Sequence, residues 1–300
     1  MNRFPILRAT ALIVLSACCF GSLTTLTLLA MRDGLALINV VFWRFFLAAL
    51  LLFAITWRDQ RTSRGGKAAW RLVAIGGIAQ AIISFLSFKA LDYLPVGELA
   101  FLFYTYPAWL AMISAARGRE KLTRARLIAL ALAMTGIAVM VGFPADATPS
   151  VIGIVMALGT ALLYALYLPM IADAQGQLPS GLSSYYLISG IAASFFVVGL
   201  ATRQLTIPSG IDVWGLLVLL SLVGTVIAFG TLFAGLRVLG PVRTSIISTV
   251  EPFFTAILGA AVLGQRLTLS IIAGGILIAI AVVILEYSNE PVNGSSVVAA

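Results

Sequence analysis

Ten apolar stretches, each about as long as a hydrocarbon core is thick, fill this chain almost end to end. They run over residues 9–30, 36–57, 70–91, 96–116, 124–143, 150–170, 182–202, 213–236, 241–263 and 268–287. A bilayer core of about 30 Å takes about 20 helical residues, whereas a membrane β-strand takes only about 9–11. The expected fold is therefore all-α, an integral membrane protein of ten transmembrane helices with short connections. Composition agrees: charged residues are 10% of the chain, against about 25% in soluble domains. Arg3, Arg8 and the apolar run to Ala30 have the form of a signal peptide. The run exceeds an h-region of about 7–15 residues, so we read it as the first retained helix. The segment 288–300 carries Asn, Pro, Gly and Ser and reads as a disordered tail.

The net charge of +8 comes from Lys and Arg gathered between the apolar runs. That is the positive-inside pattern and not a nucleic-acid footprint. Placing the N-terminus in the cytoplasm puts fourteen of these cations inside, including the clusters at 58–71 and 117–126, and four outside: Arg32, Lys89, Arg203 and Arg266. Both termini are then cytoplasmic. There is no His, and Cys18 and Cys19 are neighbours on one helix. Adjacent helical cysteines cannot adopt ordinary disulfide geometry, and the chain lacks ligands for a zinc, haem or iron–sulfur group, so no cofactor or metal is expected. No Gly-x-x-x-x-Gly-Lys-Ser/Thr stretch occurs, which excludes ATP hydrolysis by a P-loop.

The chain repeats itself. Phe88-Lys-Ala-Leu-Asp-Tyr-Leu94 aligns with Phe233-Ala-Gly-Leu-Arg-Val-Leu239 at an offset of 145, and the same offset pairs Pro107 with Pro252 and Leu122-Thr123 with Leu267-Thr268. Five spans per half is an odd number, so the second half enters the membrane in the opposite sense. The expected architecture is 5+5: an inverted repeat of residues 1–145 and 146–287, with a site near the midplane between the halves.

Several motifs stand in order along the chain: Val41-Phe-Trp-Arg-Phe-Phe46 in the second span, Ala90-Leu-Asp-Tyr-Leu-Pro95, Glu251-Pro252, and Leu263-Gly-Gln-Arg-Leu-Thr268. Together they resemble the EamA-type drug/metabolite transporters over nearly the whole length, with Gly264-Gln265 standing where these repeats often carry Gly-Glu. The segment Tyr104-Thr-Tyr106-Pro107 resembles the aromatic-x-aromatic-Pro segment of bacterial exporters of aromatic amino acids. The resemblance implies an exporter of amino acids, or of flat organic cations, in a bacterial inner membrane.

Glu251 is the residue hardest to place in lipid. It lies ten residues after Pro241, roughly 15 Å along a helix and so near mid-membrane. An ionised carboxylate facing lipid there costs about 2.5–3.5 kcal/mol on insertion scales. Two roles are open to it: attracting a substrate ammonium or a coupling proton, or bracing its kinked helix through a neighbouring hydroxyl. Tyr104 and Tyr106 sit two apart before Pro107, about 200° around a regular helix. A loosened helix at the proline would let both rings approach one cavity. Pro107 and Pro252 are the expected kinks about which the halves rock.

Further candidates lie on helical stripes. Gln80, Ser84 and Phe88, with Ser87, share the third span; Tyr164 and Tyr167 share a face of the sixth above Thr160; Thr225, Phe229 and Phe233 line up on the eighth; Ser248 precedes Glu251. Such stripes serve packing as readily as ligand binding. Arg44 lies in the outer part of the second span, where it could steer a carboxylate, snorkel, or pair with Asp33 or Glu98. Glu98 and Lys89 read as rim residues, and Gly153, Gly159, Gly224, Gly259, Gly274 and Gly275 as close-packing positions.

The expected activity is secondary export of a small solute, an aromatic or apolar amino acid first, by alternating access. Rivals are a multidrug cation exporter, a metabolite carrier and, from another class, a lipid-modifying enzyme. That enzyme would need an acid, base or nucleophile beside Glu251, and none is evident. The expected partners are a small-molecule substrate and the lipid bilayer, with no nucleic acid; one chain holds both halves, so a monomer suffices.

Overall fold

The computed structural model describes residues 4–32, 34–62, 66–119, 122–142 and 150–288, and every regular element among them is helical. Of the tail assigned above to residues 288–300, residues 289–300 lie outside the described residues, as does Asp33. The helices are α1 (Phe4–Arg32), α2 (Leu37–Ile55), α3 (Trp57–Thr62), α4 (Gly66–Ala74), α5 (Gln80–Ala90), α6 (Val96–Phe103), α7 (Tyr106–Ala116), α8 (Arg124–Val141), α9 (Val151–Gln175), α10 (Ser180–Ala201), α11 (Ile211–Ser221), α12 (Ala228–Ser248), α13 (Val250–Leu263) and α14 (Leu269–Tyr287). Two π turns, Ile75–Ala79 and Leu222–Ile227, join α4 to α5 and α11 to α12 without a break.

Nine helical runs among the described residues are long and apolar enough to cross a membrane. One of them, Ile211–Ser248, has 38 residues, about 57 Å as a straight rod and too long for one crossing. It bends at Gly240, whose φ of 75° and ψ of 169° are not helical. Glycine adopts a positive φ without a Cβ clash, and the following Pro241 restarts a helix readily. The break falls where the sequence places the connection between its eighth and ninth spans.

The two Leu-Thr motifs have a physical reason. Thr123 Oγ1 accepts from the Arg126 N–H and Thr268 Oγ1 from the Ile271 N–H, each at 3.3 Å. Both threonines thus cap the helix that follows, α8 and α14. These two helices then pack side by side, while α1 lies against α12 and α13, and α10 against α2 and the first π turn. Small residues let the backbones approach. A Cβ on Gly136 would meet the Gly274 carbonyl at 2.7 Å, and one on Gly77 the Gly190 carbonyl at 3.1 Å.

Polar ties gather at the end of the bundle where α1 begins. Arg119 pairs with Asp173 at 2.8 Å, Thr10 Oγ1 donates to Glu286 at 2.7 Å, and Gln175 Nε2 donates to the Phe233 carbonyl at 3.3 Å. Arg237 donates to the Leu178 carbonyl. At the opposite end Asn39 Nδ2 donates to Thr206 Oγ1 at 2.7 Å and Trp43 Nε1 to the Thr206 carbonyl at 2.9 Å.

Candidate functional site

Two broken helices bring the site together. After Phe103 the chain loses helical pitch at Tyr104 (ψ 6°) and Thr105 (ψ −11°), then resumes as α7 with Pro107 in its first turn. After Ser248 it does the same at Thr249 (ψ −7°), and α13 starts with Glu251 and Pro252 in its first turn. Each proline lacks the N–H that a continuous helix would use four residues back. At each break a threonine hydroxyl takes up a carbonyl: Thr105 Oγ1 donates to Leu102 and Thr249 Oγ1 to Ile246, both at 2.6 Å. The irregular residues come just before each proline.

Tyr104, Tyr106 and Glu251 meet where these breaks face each other. The Tyr106 hydroxyl donates to the Ser245 carbonyl at 3.5 Å, and Ser248 lies within its reach. The Glu251 carboxyl is within hydrogen-bonding reach of the Tyr104 hydroxyl. Its place in the first turn of α13 also sets it against the positive end of that helix, which favours a carboxylate. Tyr164 completes the group: its ring stands edge-on to Tyr106 at 4.8 Å between centroids and interacts electrostatically with Glu251. Tyr167 packs against Tyr164 with the rings tilted 35° and 5.7 Å apart, and is buried with its hydroxyl unpartnered. The two tyrosines two residues apart do share one space, because the helix between them is broken.

Three neighbours of this cluster were not singled out from sequence. Phe103 touches Tyr104, Tyr106 and Tyr164, with centroids 5.3–5.5 Å apart. Gly21 on α1 leaves room for the Glu251 backbone, since a Cβ there would meet the Glu251 carbonyl at 2.9 Å. Phe20, beside it, meets Phe229 edge-on at 5.1 Å. Phe103 stands directly before the Tyr-Thr-Tyr-Pro segment and was legible as part of it; Gly21 and Phe20 carry no local signal.

Other candidates are placed apart. Ser84 and Phe88 line a cavity of about 290 Å³ with Phe85, Lys89, Phe195 and Val198, bordered by α2, α5 and α10. Gln80 Nε2 donates to Ser84 Oγ at 3.4 Å. Thr225 sits in the second π turn and gives its hydroxyl to the Leu220 carbonyl at 3.4 Å; Phe233 is fully buried. Thr160 donates to the Met156 carbonyl at 2.9 Å. Lys89 pairs with Asp92 at 2.6 Å with both side chains about half exposed, as rim residues do. A second cavity of about 620 Å³ is an apolar groove between α2 and α10, lined by Phe42, Trp43, Phe46, Ala192 and Phe196 among others. No group of three or more His, Cys, Asp or Glu able to hold a metal occurs among the described residues.

The sequence offered Glu98 as one partner for Arg44. The two ion pairs recorded among the described residues are Lys89–Asp92 and Arg119–Asp173, and both Arg44 Nε and Glu98 Oε1 are buried without a hydrogen-bond partner. Pairing with Glu98 is therefore corrected. The guanidinium lies instead over the ring of Phe45, 4.2 Å from its centroid.

A carboxylate held among tyrosines at the junction of two broken helices, in a multi-pass helical protein, suits the holding of a small solute. Comparison with known proteins makes the class specific. The pattern of the EamA-like transporter family matches residues 7–142 and again 151–287, and the chain belongs to that family, within the drug/metabolite transporter superfamily. It is 25% identical over 279 residues to the "Uncharacterized transporter YcbK" of Bacillus subtilis (strain 168), covering 88% of each chain. A crystal structure of another protein matches with a TM-score of 0.76 over 92% of this chain and 96% of that one; at 18% identity the likeness concerns the fold alone.

Proposed function

We propose that this chain is a secondary exporter of amino acids, aromatic and apolar ones first, working by alternating access in a bacterial inner membrane. The observation that carries the reading is Glu251, set at mid-membrane against Tyr104 and Tyr164 where α12–α13 faces α6–α7. A carboxylate flanked by aromatic faces attracts an ammonium and accepts an apolar ring beside it. In this reading residues 1–145 and 146–287 are inverted halves with both termini in the cytoplasm, rocking about Pro107 and Pro252. Arg119–Asp173 and Thr10–Glu286 then tie one half to the other at the cytoplasmic end, which describes a conformer closed on that side. One chain supplies both halves.

The test is flux of labelled tryptophan, phenylalanine and leucine in proteoliposomes holding the purified protein. Saturable counterflow of aromatic amino acids supports the reading; no flux of any amino acid sinks it. Flux of flat organic cations without amino acids would install the multidrug alternative, which the same carboxylate and rings suit.

A further inference from the structure

The second span carries a cation that nothing recorded among the described residues neutralises. Arg44 is partly buried within the membrane-spanning part of α2, its buried Nε has no hydrogen-bond partner, and neither ion pair uses it. The ring of Phe45 beneath its guanidinium offers only a cation–π contact, which offsets part of the lost hydration. An arginine cannot escape the cost of burial by giving up its proton. Its position is well fixed: the Arg44 carbonyl accepts from Ser221 Oγ at 2.9 Å, and Phe45 stacks on Phe195 with the rings 10° from parallel. Phe195 lines the cavity of about 290 Å³ that also holds Ser84 and Phe88. The charge therefore stands one aromatic pair away from open space.

We propose that Arg44 is the binding group for the carboxylate of the transported solute. A guanidinium offers a planar fork of donors that fits a carboxylate with two parallel hydrogen bonds, and the pair is strongest where water is scarce. Depth agrees. Arg44 lies seven residues after Leu37, roughly 10 Å along α2, and Glu251 roughly 15 Å along the helix that begins at Pro241. Entered from opposite faces of a core about 30 Å thick, those depths put the two charges at levels about 5 Å apart along the membrane normal. An α-amino acid carries its ammonium and carboxylate on one carbon, so opposite charges at similar depth match its two ends. The proposal rests on the amino-acid reading for the identity of the solute, and on Arg44 alone for the carboxylate.

The test measures binding of four matched probes to the purified full chain: an aromatic amino acid, its amide, the corresponding decarboxylated amine, and the aromatic acid lacking the ammonium. The intact protein should prefer the amino acid to its amide and amine by about 10- to 100-fold, the worth of a charge-assisted hydrogen-bonded pair. Arg44→Gln should collapse that ratio toward one, and Arg44→Lys should restore part of it. Equal affinity of the intact protein for the amino acid and its amide overturns the proposal without any variant, so a misfolded Gln variant cannot shelter it. An Arg44→Gln protein that weakens all four probes alike also overturns it, as a mere brace would. Arg44-dependent binding of the aromatic acid with no binding or flux of any amino acid would uphold the carboxylate site and sink the amino-acid reading instead.

Discussion

Gly136 and Gly274 lie against each other across the α8–α14 seam, each occupying the space a side chain on the other helix would need. A Cβ on Gly136 would meet the Gly274 carbonyl at 2.7 Å and Ile278 Cγ1 at 2.8 Å. Neither neighbour can yield: one is backbone, the other sits in a buried side chain. Gly136→Ala and Gly274→Ala should each lower stability by about 1–3 kcal/mol, the usual cost of overpacking, seen as a lower melting temperature in detergent. Gly215, with nothing within 4 Å of a Cβ, is the control; its alanine variant should stay within about 0.5 kcal/mol.

Glu251→Gln should cut amino-acid flux by an order of magnitude or more, because a neutral amide gives up the charge that draws an ammonium. Tyr104→Phe removes the hydroxyl facing that carboxyl and should lower flux by about tenfold, the scale of one charge-assisted hydrogen bond. The double variant should be little worse than Glu251→Gln alone, since both changes dismantle one pair. Initial rates in proteoliposomes check all three; full activity in both single variants would remove these residues from the site.

Proton coupling follows from the same carboxyl. A carrier that takes a proton inward as it sends solute outward runs faster when the outside is acidic. Export by the intact protein should therefore accelerate under an outside-acid gradient and slow when the gradient is reversed. Glu251→Gln, having no proton to exchange at that position, should leave the residual rate indifferent to either gradient. Indifference of the intact protein would abolish the coupling.

Arg119–Asp173 and Thr10–Glu286 are polar ties near the surface, and Arg119 and Asp173 are each about half exposed. Exposed ion pairs are worth about 0–1 kcal/mol, so breaking them should shift a conformational balance only a few-fold. In the orientation proposed above, Asp173→Asn with Glu286→Gln should raise labelling, from the cytoplasmic side, of a cysteine placed at Phe233 by about that factor, with little loss of melting temperature. A large drop in melting temperature would mean the ties hold the fold and not the balance.

The helices were legible because each span is written as a run of apolar residues with a glycine, proline or threonine at its boundary. Thr123 and Thr268 announce α8 and α14 as caps, and Gly240-Pro241 announces a break. The π turns were not legible: Ile75–Ala79 and Leu222–Ile227 differ from α-helix by one residue of pitch and carry no composition of their own. Helix α3 also went unread, since Trp57–Thr62 is a short polar helix beside an apolar run. Of the site, the Tyr-Thr-Tyr-Pro and Glu-Pro segments could be found because a proline inside an apolar run marks a broken helix. The stripe Gln80–Ser84–Phe88 could not be assigned a cavity from spacing alone, for spacing gives a face but not the neighbour opposite it. Gly21 was invisible for the same reason: its meaning lies in the Glu251 backbone, 230 residues away in sequence.

Pro107 and Pro252 leave the carbonyls of Phe103 and Ser248 without the N–H that a continuous helix would supply. Those oxygens stand at the two helix breaks, beside Tyr104 and Glu251, and they belong to the main chain. No alanine scan can delete them. Side-chain variants at positions 103 and 248 leave both acceptors in place, whatever residues occupy those positions. They vanish only when a donor is given back, by replacing the proline four residues on.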